Sequence, residues 1–289
     1  MEGVKKVAVI GSGTMGEGIA QVSIQNGYSS ILYDIDHQQL ANAKAQVFKR
    51  LDRLVEKGRI SDEESIQAKE NLTVTTDLKN LKEADLVIEA APEILDIKTS
   101  IFQELTAICS SETIFATNTS SLSITEIAGY IQDPSRLAGL HFFNPAPLMP
   151  LVEIVQGIST NQATIHRLKD FAEKIHKYPV VCRDTPGFIV NRVARPFYNE
   201  ALKILNDQVA SVEQIDRIMK KSGGFKMGPF ELQDLIGIDI NFATTKTVYS
   251  SFFGENRFRP HYYQERMVQA GRLGRKTEGG FYDYASTEH

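Results

Sequence analysis

Cysteine is scarce in this sequence: only Cys109 and Cys182 occur, far apart and without Cys-x-x-Cys spacing. That excludes a disulfide scaffold or a zinc ribbon, gives no metal-ligand cluster, and suits a reducing compartment. No apolar run approaches the ~20 residues that a membrane span needs. Neither charge sign dominates, with 32 Lys+Arg against 36 Asp+Glu and a net charge of −4, which argues against a general nucleic-acid binder. Residues Met1 to Lys6 lack the charged-then-apolar pattern of a secretion signal, so a cytoplasmic location is expected. Internal repeats, low-complexity segments and charge blocks are missing too. What remains is 289 residues, 42% hydrophobic and 24% charged. Those are ordinary globular proportions, at a length of one or two domains.

Residues 4–10 end in a short apolar run of the kind a buried parallel strand needs. Gly11-Ser-Gly-Thr-Met-Gly16 follows, then a helical stretch to Gly27, where a C-terminal glycine cap belongs. Ser30-Ile-Leu-Tyr-Asp34 reads as a second strand. In residues 37–58, Leu40, Ala43, Val47, Leu51, Leu54 and Val55 recur at spacings of three and four, predicting an amphipathic helix. Ser61-Asp-Glu-Glu64 is a capping-box start for another. The stretch 37–70 therefore predicts a helical hairpin inserted between strands. Strand-like runs resume at Leu72–Thr75, Leu86–Ala90, Ile114–Thr117, Leu137–Phe142, Val152–Gln156 and Val180–Cys182. Helical stretches lie between several of them, near 95–109, 123–130 and 161–176. This alternation predicts an α/β fold, a Rossmann-type, mostly parallel sheet over residues 1–185. From Pro186 the periodicity is helical, with no strand-like stretch until Phe281-Tyr-Asp-Tyr284, so a smaller all-α domain is expected over 186–289.

Gly11-x-Gly13-x-x-Gly16 alone is a weak signal. Its setting strengthens it: the motif follows a strand, opens a helix, and is answered by an acid at the end of the next strand. The first glycine permits the tight turn, the second lets a pyrophosphate approach the backbone, and the third lets helix pack on strand. The helix N-terminus, with Thr14 and Met15 in its first turn, offers N–H groups to the phosphates. Asp34 stands where a carboxylate binds both adenosine ribose hydroxyls and repels a 2′-phosphate, which favours NAD over NADP. FAD shares the fingerprint, but nothing downstream suggests a flavin site.

His141 ends the apolar strand Leu137-Ala-Gly-Leu-His-Phe142, and ligands of such sheets bind at the carboxyl ends of strands. Glu153 lies inside the apolar run Leu151–Val155, where a carboxylate must find a partner or change its protonation. Pairing the two satisfies both and makes a general base for alcohol oxidation. A lone histidine at a strand end can equally be structural. Asn118-Thr-Ser-Ser121 offers an amide and hydroxyls at the same edge of the sheet, or reads as a turn held by its own side chains. Asn191, among Phe188, Ile189, Val190 and Val193, faces a cleft or a helix interface. From Lys44 to Arg59 the hairpin carries Lys44, Lys49, Arg50, Arg53, Lys57 and Arg59 against Asp52 and Glu56, a local +4 suited to a phosphate-rich ligand or simply to solvent.

Taken together, several stretches closely resemble the short-chain L-3-hydroxyacyl-CoA dehydrogenase family, in particular its bacterial 3-hydroxybutyryl-CoA members. They are Gly11–Ala20, Val87–Ala90, Asn118–Leu122, His141–Pro145, Leu151–Ile154, Pro186–Arg192, Met227–Leu232 and Gly274–Thr277, in the family's order over nearly the whole chain. The resemblance implies NAD-dependent oxidation of (3S)-3-hydroxyacyl-CoA to 3-oxoacyl-CoA. His141 would be the base and Glu153 its partner, with Ser120 and Asn191 at the reacting end of the substrate. It also implies that Asn144 lies near substrate and nicotinamide, and that Glu93, Lys98, Asn118 and Lys276 serve the cofactor. Lys57 would lie near the CoA phosphates, and the helical domain would form a homodimer and border the substrate cleft. Two departures bear on the acyl chain: Pro150 follows Met149 where many butyryl-type members have Lys, and Gly223-Gly-Phe-Lys-Met-Gly-Pro229 is more like the branch acting on 3-hydroxyadipyl-CoA. A free hydroxy-acid dehydrogenase on the same scaffold is the alternative enzyme, and it would not need the basic hairpin.

Overall fold

A computed structural model describes residues 3–285. The chain divides into two compact units, Met1–Thr185 and Pro186–His289. Among the described residues no helix is long and apolar enough to cross a membrane.

The first unit alternates strands and helices: β1 (Lys6–Ile10), α1 (Thr14–Gln25), β2 (Ser29–Tyr33), α2 (His37–Glu56), α3 (Asp62–Glu70), β3 (Leu72–Thr75), β4 (Leu86–Glu89), α4 (Leu95–Ile108) and β5 (Ile114–Thr117). It continues with α5 (Ile124–Ala128), β6 (Leu137–Phe142), β7 (Leu151–Gln156), α6 (Gln162–Lys174) and β8 (Tyr178–Arg183). The eight strands form one sheet in the order β3-β2-β1-β4-β5-β6-β7-β8. Neighbours are parallel except β6 and β7, so the last two strands run against the rest. The order reverses between β1 and β4, which makes a ligand crevice at the carboxyl ends of those strands.

The central strands are buried along their length, as the apolar runs Leu86–Glu89, Ile114–Thr117 and Leu137–Phe142 require when helices cover both faces. The helical hairpin follows its local chemistry. Asp36 caps α2 by accepting from the amides of Gln38 and Gln39, and Leu40, Ala43, Val47 and Leu51 form its buried stripe. In α3 the Glu64 amide donates to Ser61 Oγ and the Ser61 amide to Glu64 Oε2, both bonds of a capping box.

The last strand runs two residues further N-terminally than the apolar triplet Val180–Cys182 suggests, and includes Pro179. As the sheet's edge strand it tolerates a residue with no N–H to donate.

The second unit packs α7 (Val190–Asn206), α8 (Val212–Lys221), α9 (Pro229–Ile236), α10 (Ile238–Ser251) and α11 (Tyr262–Gln269). Ala201, Leu202, Ile215 and Phe230 make an apolar core with Phe281 and Tyr282 against it. The stretch Phe281–Tyr284 is not a strand, contrary to expectation; only an isolated bridge joins Gly279 to Asp283. Side chains take up its polar groups instead. Asp234 accepts from the amides of Phe281 and Tyr282 and the hydroxyl of Tyr284, and Asp216 accepts from the hydroxyl of Tyr282. Deeper in the unit lies a second, polar layer: Arg195, Asn199, Gln233, Asn241, Thr245 and Gln264 are all buried.

Candidate active site

The site is built on the carboxyl edge of the first unit's sheet. Gly11 holds φ at +93°, and a Cβ there would stand 2.6 Å from the carbonyl oxygen of Ala90. A Cβ on Gly16 would lie 1.7 Å from the carbonyl oxygen of Gly11, so only glycine lets α1 close on the turn. Gly13 is different: its Cβ would meet nothing within 4 Å. The backbone there is open to a ligand at the N-terminus of α1, where Gly13 supplies no side-chain cap and Thr14 starts the helix. That is the cradle a pyrophosphate needs. Beside it, a cavity of about 450 Å³ is lined by Gly11, Tyr33, Asp34, Ile35, Ile97 and Ile101. Asp34 is anchored there, its Oδ2 accepting from the Ser12 amide at 2.7 Å and the Ser12 hydroxyl at 2.8 Å. An apolar slot ending in a fixed carboxylate fits an adenosine, so this chain's residues fit the dinucleotide that the glycine motif suggests.

At the carboxyl end of β4 the chain buries an ion pair. Glu89 is 0% exposed and Lys98 1%. Glu89 Oε1 accepts from Lys98 Nζ at 2.6 Å and from the Ala91 amide at 2.7 Å, while Oε2 accepts from Thr117 Oγ1 at 2.6 Å. The same ammonium donates to the Ala91 carbonyl at 3.2 Å and lies 3.3 Å from Glu93 Oε2. Glu93 Oε1 in turn collects Thr119 Oγ1, the Ser120 amide, and the amide and hydroxyl of Ser121. Burial pushes the Glu93 carboxyl upward, but Lys98 and these hydrogen bonds outweigh it and hold the group below the ordinary carboxylate range. Glu93 and Lys98, which the resemblance assigns to the cofactor, thus also tie the β4 exit to the loop bearing Ser120.

His141 and Glu153 are directly opposed residues of the antiparallel pair β6–β7. The imidazole Nδ1 stands 2.7 Å from Glu153 Oε2, and the two residues are 6% and 1% exposed. The Phe143 ring lies 4.5 Å from the imidazole, centroid to centroid. Asn118 fixes the strand carrying the histidine: its Oδ1 accepts from the Phe142 amide at 2.8 Å, and its own amide donates to the Glu89 carbonyl at 2.7 Å. Asn118 therefore bridges β4 and β6 across the end of β5.

A second cavity, of about 520 Å³, opens between the hairpin and the stretch after β6; Thr14, Gly18, Arg50, Arg53, Arg59 and Asn144 are among its lining residues. Part of the basic excess is already spent there, since Arg50 donates to Glu17 Oε1 at 2.7 Å and to Gln21 Oε1 at 2.6 Å. Arg53 and Arg59 carry the remainder along the cavity. Lys57, the C-cap of α2, is exposed and is not among the lining residues.

Two expected site residues belong to the second unit. Asn191 is half-buried in the first turn of α7. Lys276 Nζ makes a two-pronged ion pair with Asp239, at 2.6 and 2.7 Å.

Sequence reasoning did not single out Glu89, Ser12 or the Arg50–Glu17 pair. Glu89 carried a usable signal, an acid closing a four-residue apolar strand. The other two depend on packing between elements.

Family models match almost the whole chain. The description "3-hydroxyacyl-CoA dehydrogenase, NAD binding domain" covers residues 6–185, and "3-hydroxyacyl-CoA dehydrogenase, C-terminal domain" covers 187–284. A protein of Escherichia coli K12 named 3-hydroxyadipyl-CoA dehydrogenase is 48% identical over 98% of this chain. This chain spans only 60% of that relative's length. A 3-hydroxybutyryl-CoA dehydrogenase of Clostridioides difficile is 42% identical over 96% of this chain and 99% of its own. Among solved structures, a 3-hydroxybutyryl-CoA dehydrogenase from Escherichia coli K12 superposes with a TM-score of 0.97 at 47% identity, covering 100% of this chain and 61% of that one. The matched nucleotide domain, together with the open Gly13 turn and the anchored Asp34, makes NAD the cofactor. With both of its units matched in order and full-length relatives above 40% identity, the chain belongs to the NAD-dependent 3-hydroxyacyl-CoA dehydrogenase family.

Proposed function

We propose that this chain oxidises the 3-hydroxyl of a (3S)-3-hydroxyacyl-CoA thioester to a 3-oxo group, reversibly, with His141 as general base. The observation that carries this reading is the buried 2.7 Å contact between His141 Nδ1 and Glu153 Oε2. With Nδ1 committed to the carboxylate, the proton sits on Nδ1 and Nε2 is the basic nitrogen. Nε2 takes the hydroxyl proton as C3 loses its hydride, so alcohol becomes ketone with two hydrogens removed. Glu153 holds the ring in that tautomer and balances the imidazolium that forms. Bound NAD⁺ supplies the hydride acceptor. Ser120, held by its amide on Glu93, and Asn191 hydrogen-bond the substrate's oxygens. The arginine-lined cavity receives the pantetheine and phosphate end of CoA, with Asn144 on its wall near the substrate and the nicotinamide, and the exposed Lys57 at the end of α2 adds positive charge for the phosphates.

The 3-hydroxybutyryl chain is supported by the relatives at 41–42% identity, and the 3-hydroxyadipyl chain by the relative at 48%. A homodimer formed through the second unit is supported by the exposure of Ile218, Phe225, Ile240 and Phe253 there. A cytoplasmic location suits two cysteines that remain free thiols.

The test follows NADH absorbance with acetoacetyl-CoA, 3-oxoadipyl-CoA and free acetoacetate in parallel. Oxidation with a thioester but not with the free acid is expected. Equal rates with the free acid would replace this reading with a hydroxy-acid dehydrogenase, and no turnover with any of them would leave only an NAD-binding protein.

A further inference from the structure

Helix α7 stacks Asn191, Arg195 and Asn199 on successive turns. Arg195 is 3% exposed, yet its partners are all neutral: Nε donates to the Asn191 carbonyl at 3.1 Å, and Nη1 to the Asn241 carbonyl and Thr245 Oγ1, each at 3.0 Å. The ring of Tyr198 lies 5.1 Å from the guanidinium carbon. Among the described residues no carboxylate pairs with this cation, and Nη2 donates to nothing. Burial draws its pKa down to about 10, and Tyr198 offsets this only in part. A buried guanidinium normally meets an anion. The surrounding layer is short of partners as well: both amide atoms of Asn199, Nδ2 of Asn241, Nε2 of Gln233 and Oε1 of Gln264 are buried without a hydrogen bond.

We infer that Arg195 is a specificity-determining residue that receives the free carboxylate at the far end of a dicarboxylic acyl chain. This rests on the hydroxyacyl-CoA reading above, in which Asn191 hydrogen-bonds the reacting end. The bond from Nε to the Asn191 carbonyl folds the guanidinium back over the turn that carries Asn191. One helical turn rises about 5.4 Å. In a six-carbon chain, three bonds of about 1.5 Å carry the terminal carboxyl roughly 4 Å beyond C3. A chain of that length with an acid end covers most of that turn, and a hydrogen bond of about 2.9 Å closes the rest, so it reaches from Asn191 to Arg195. A four-carbon chain stops short and leaves the cation unanswered. The N–H groups of Nη2, which the protein leaves undonated, are the ones that carboxylate accepts from, in a charge-assisted hydrogen bond.

The test compares 3-oxoadipyl-CoA with 3-oxohexanoyl-CoA, which has the same number of acyl carbons and no terminal acid, by NADH oxidation. Wild-type protein should prefer the diacid in kcat/KM by about a hundredfold. Arg195→Met should bring that ratio close to one, and Arg195→Lys should recover part of it. A wild-type ratio near one, or a ratio unmoved in Arg195→Met, overturns the inference. Should Arg195→Met fail to fold, the wild-type preference decides, with the terminal methyl ester of 3-oxoadipyl-CoA expected to behave like the hexanoyl compound. Turnover of thioesters without preference refutes only the role of Arg195, whereas no turnover of any thioester refutes the enzymatic reading beneath it.

Discussion

His141 and Glu153 are paired twice, once by the backbone register of β6 and β7 and once by the 2.7 Å contact between Nδ1 and Oε2. The ladder holds the two side chains opposite each other on one face, within reach of direct contact. Replacing His141 with Gln should lower kcat by about a thousandfold while NAD still binds. Glu153→Gln should cost about a hundredfold, in kcat more than in KM. NADH absorbance and a nucleotide fluorescence titration read both. Full activity in either variant would remove that residue from the mechanism.

The glycine turn separates a folding glycine from a binding one. Gly16→Ala forces a Cβ onto the Gly11 carbonyl oxygen and should destabilise the first unit by more than about 3 kcal/mol. Gly13 has an ordinary φ of −68° and open space around it, so Gly13→Ala should change stability by about 0.5 kcal/mol or less. It should nevertheless weaken NAD, because the methyl group occupies the approach of the pyrophosphate. Urea unfolding and NAD titration of both variants distinguish these effects; equal stability would mean that the turn relaxes.

The buried pair Glu89–Lys98 should behave as a unit. Lys98→Met strands a carboxylate that is 0% exposed and should cost about 3–5 kcal/mol. Glu89→Gln should be comparably damaging, and the double variant should cost clearly less than the sum. Strict additivity in urea unfolding would show that the two charges do not depend on each other.

Glu93 predicts an acid-side effect. Its folded pKa lies below the ordinary carboxylate value, so its contribution is present above that value and is lost as pH falls through the depressed one. The side chain is 38% exposed, and solvent screening keeps the contribution small. In Glu93→Gln, thermal unfolding temperatures between about pH 5 and pH 3 should fall less steeply than in the wild type. An unchanged slope would show that Glu93 does not contribute to acid sensitivity.

Features resting on neighbours in the chain were the most legible. The hairpin could be read because Ser61 and Glu64 write a cap within four residues, and because the stripe from Leu40 to Leu51 repeats on one face. The pairing of His141 with Glu153 could be read because an acid in an apolar strand demands a partner. Glu89 poses the same demand and Lys98 meets it nine residues later, so that pair was within reach of the same rule. The diversion of Arg50 to Glu17 was not, since it depends on how α1 and α2 pack. The polar layer around Arg195 drew on four helices, and no local pattern announces it. Phe281–Tyr284 has strand composition, but aspartates distant in sequence claim its donors first.

The reversal of β7 against β6 has one further consequence. Because the two strands form a single contiguous stretch, His141 and Glu153 travel together on one short piece of chain, a portable cassette whose internal alignment is written into its own ladder. Swapping residues 137–156 as a block between related dehydrogenases should carry the acid–base couple intact, whereas exchanging either strand alone should scramble it.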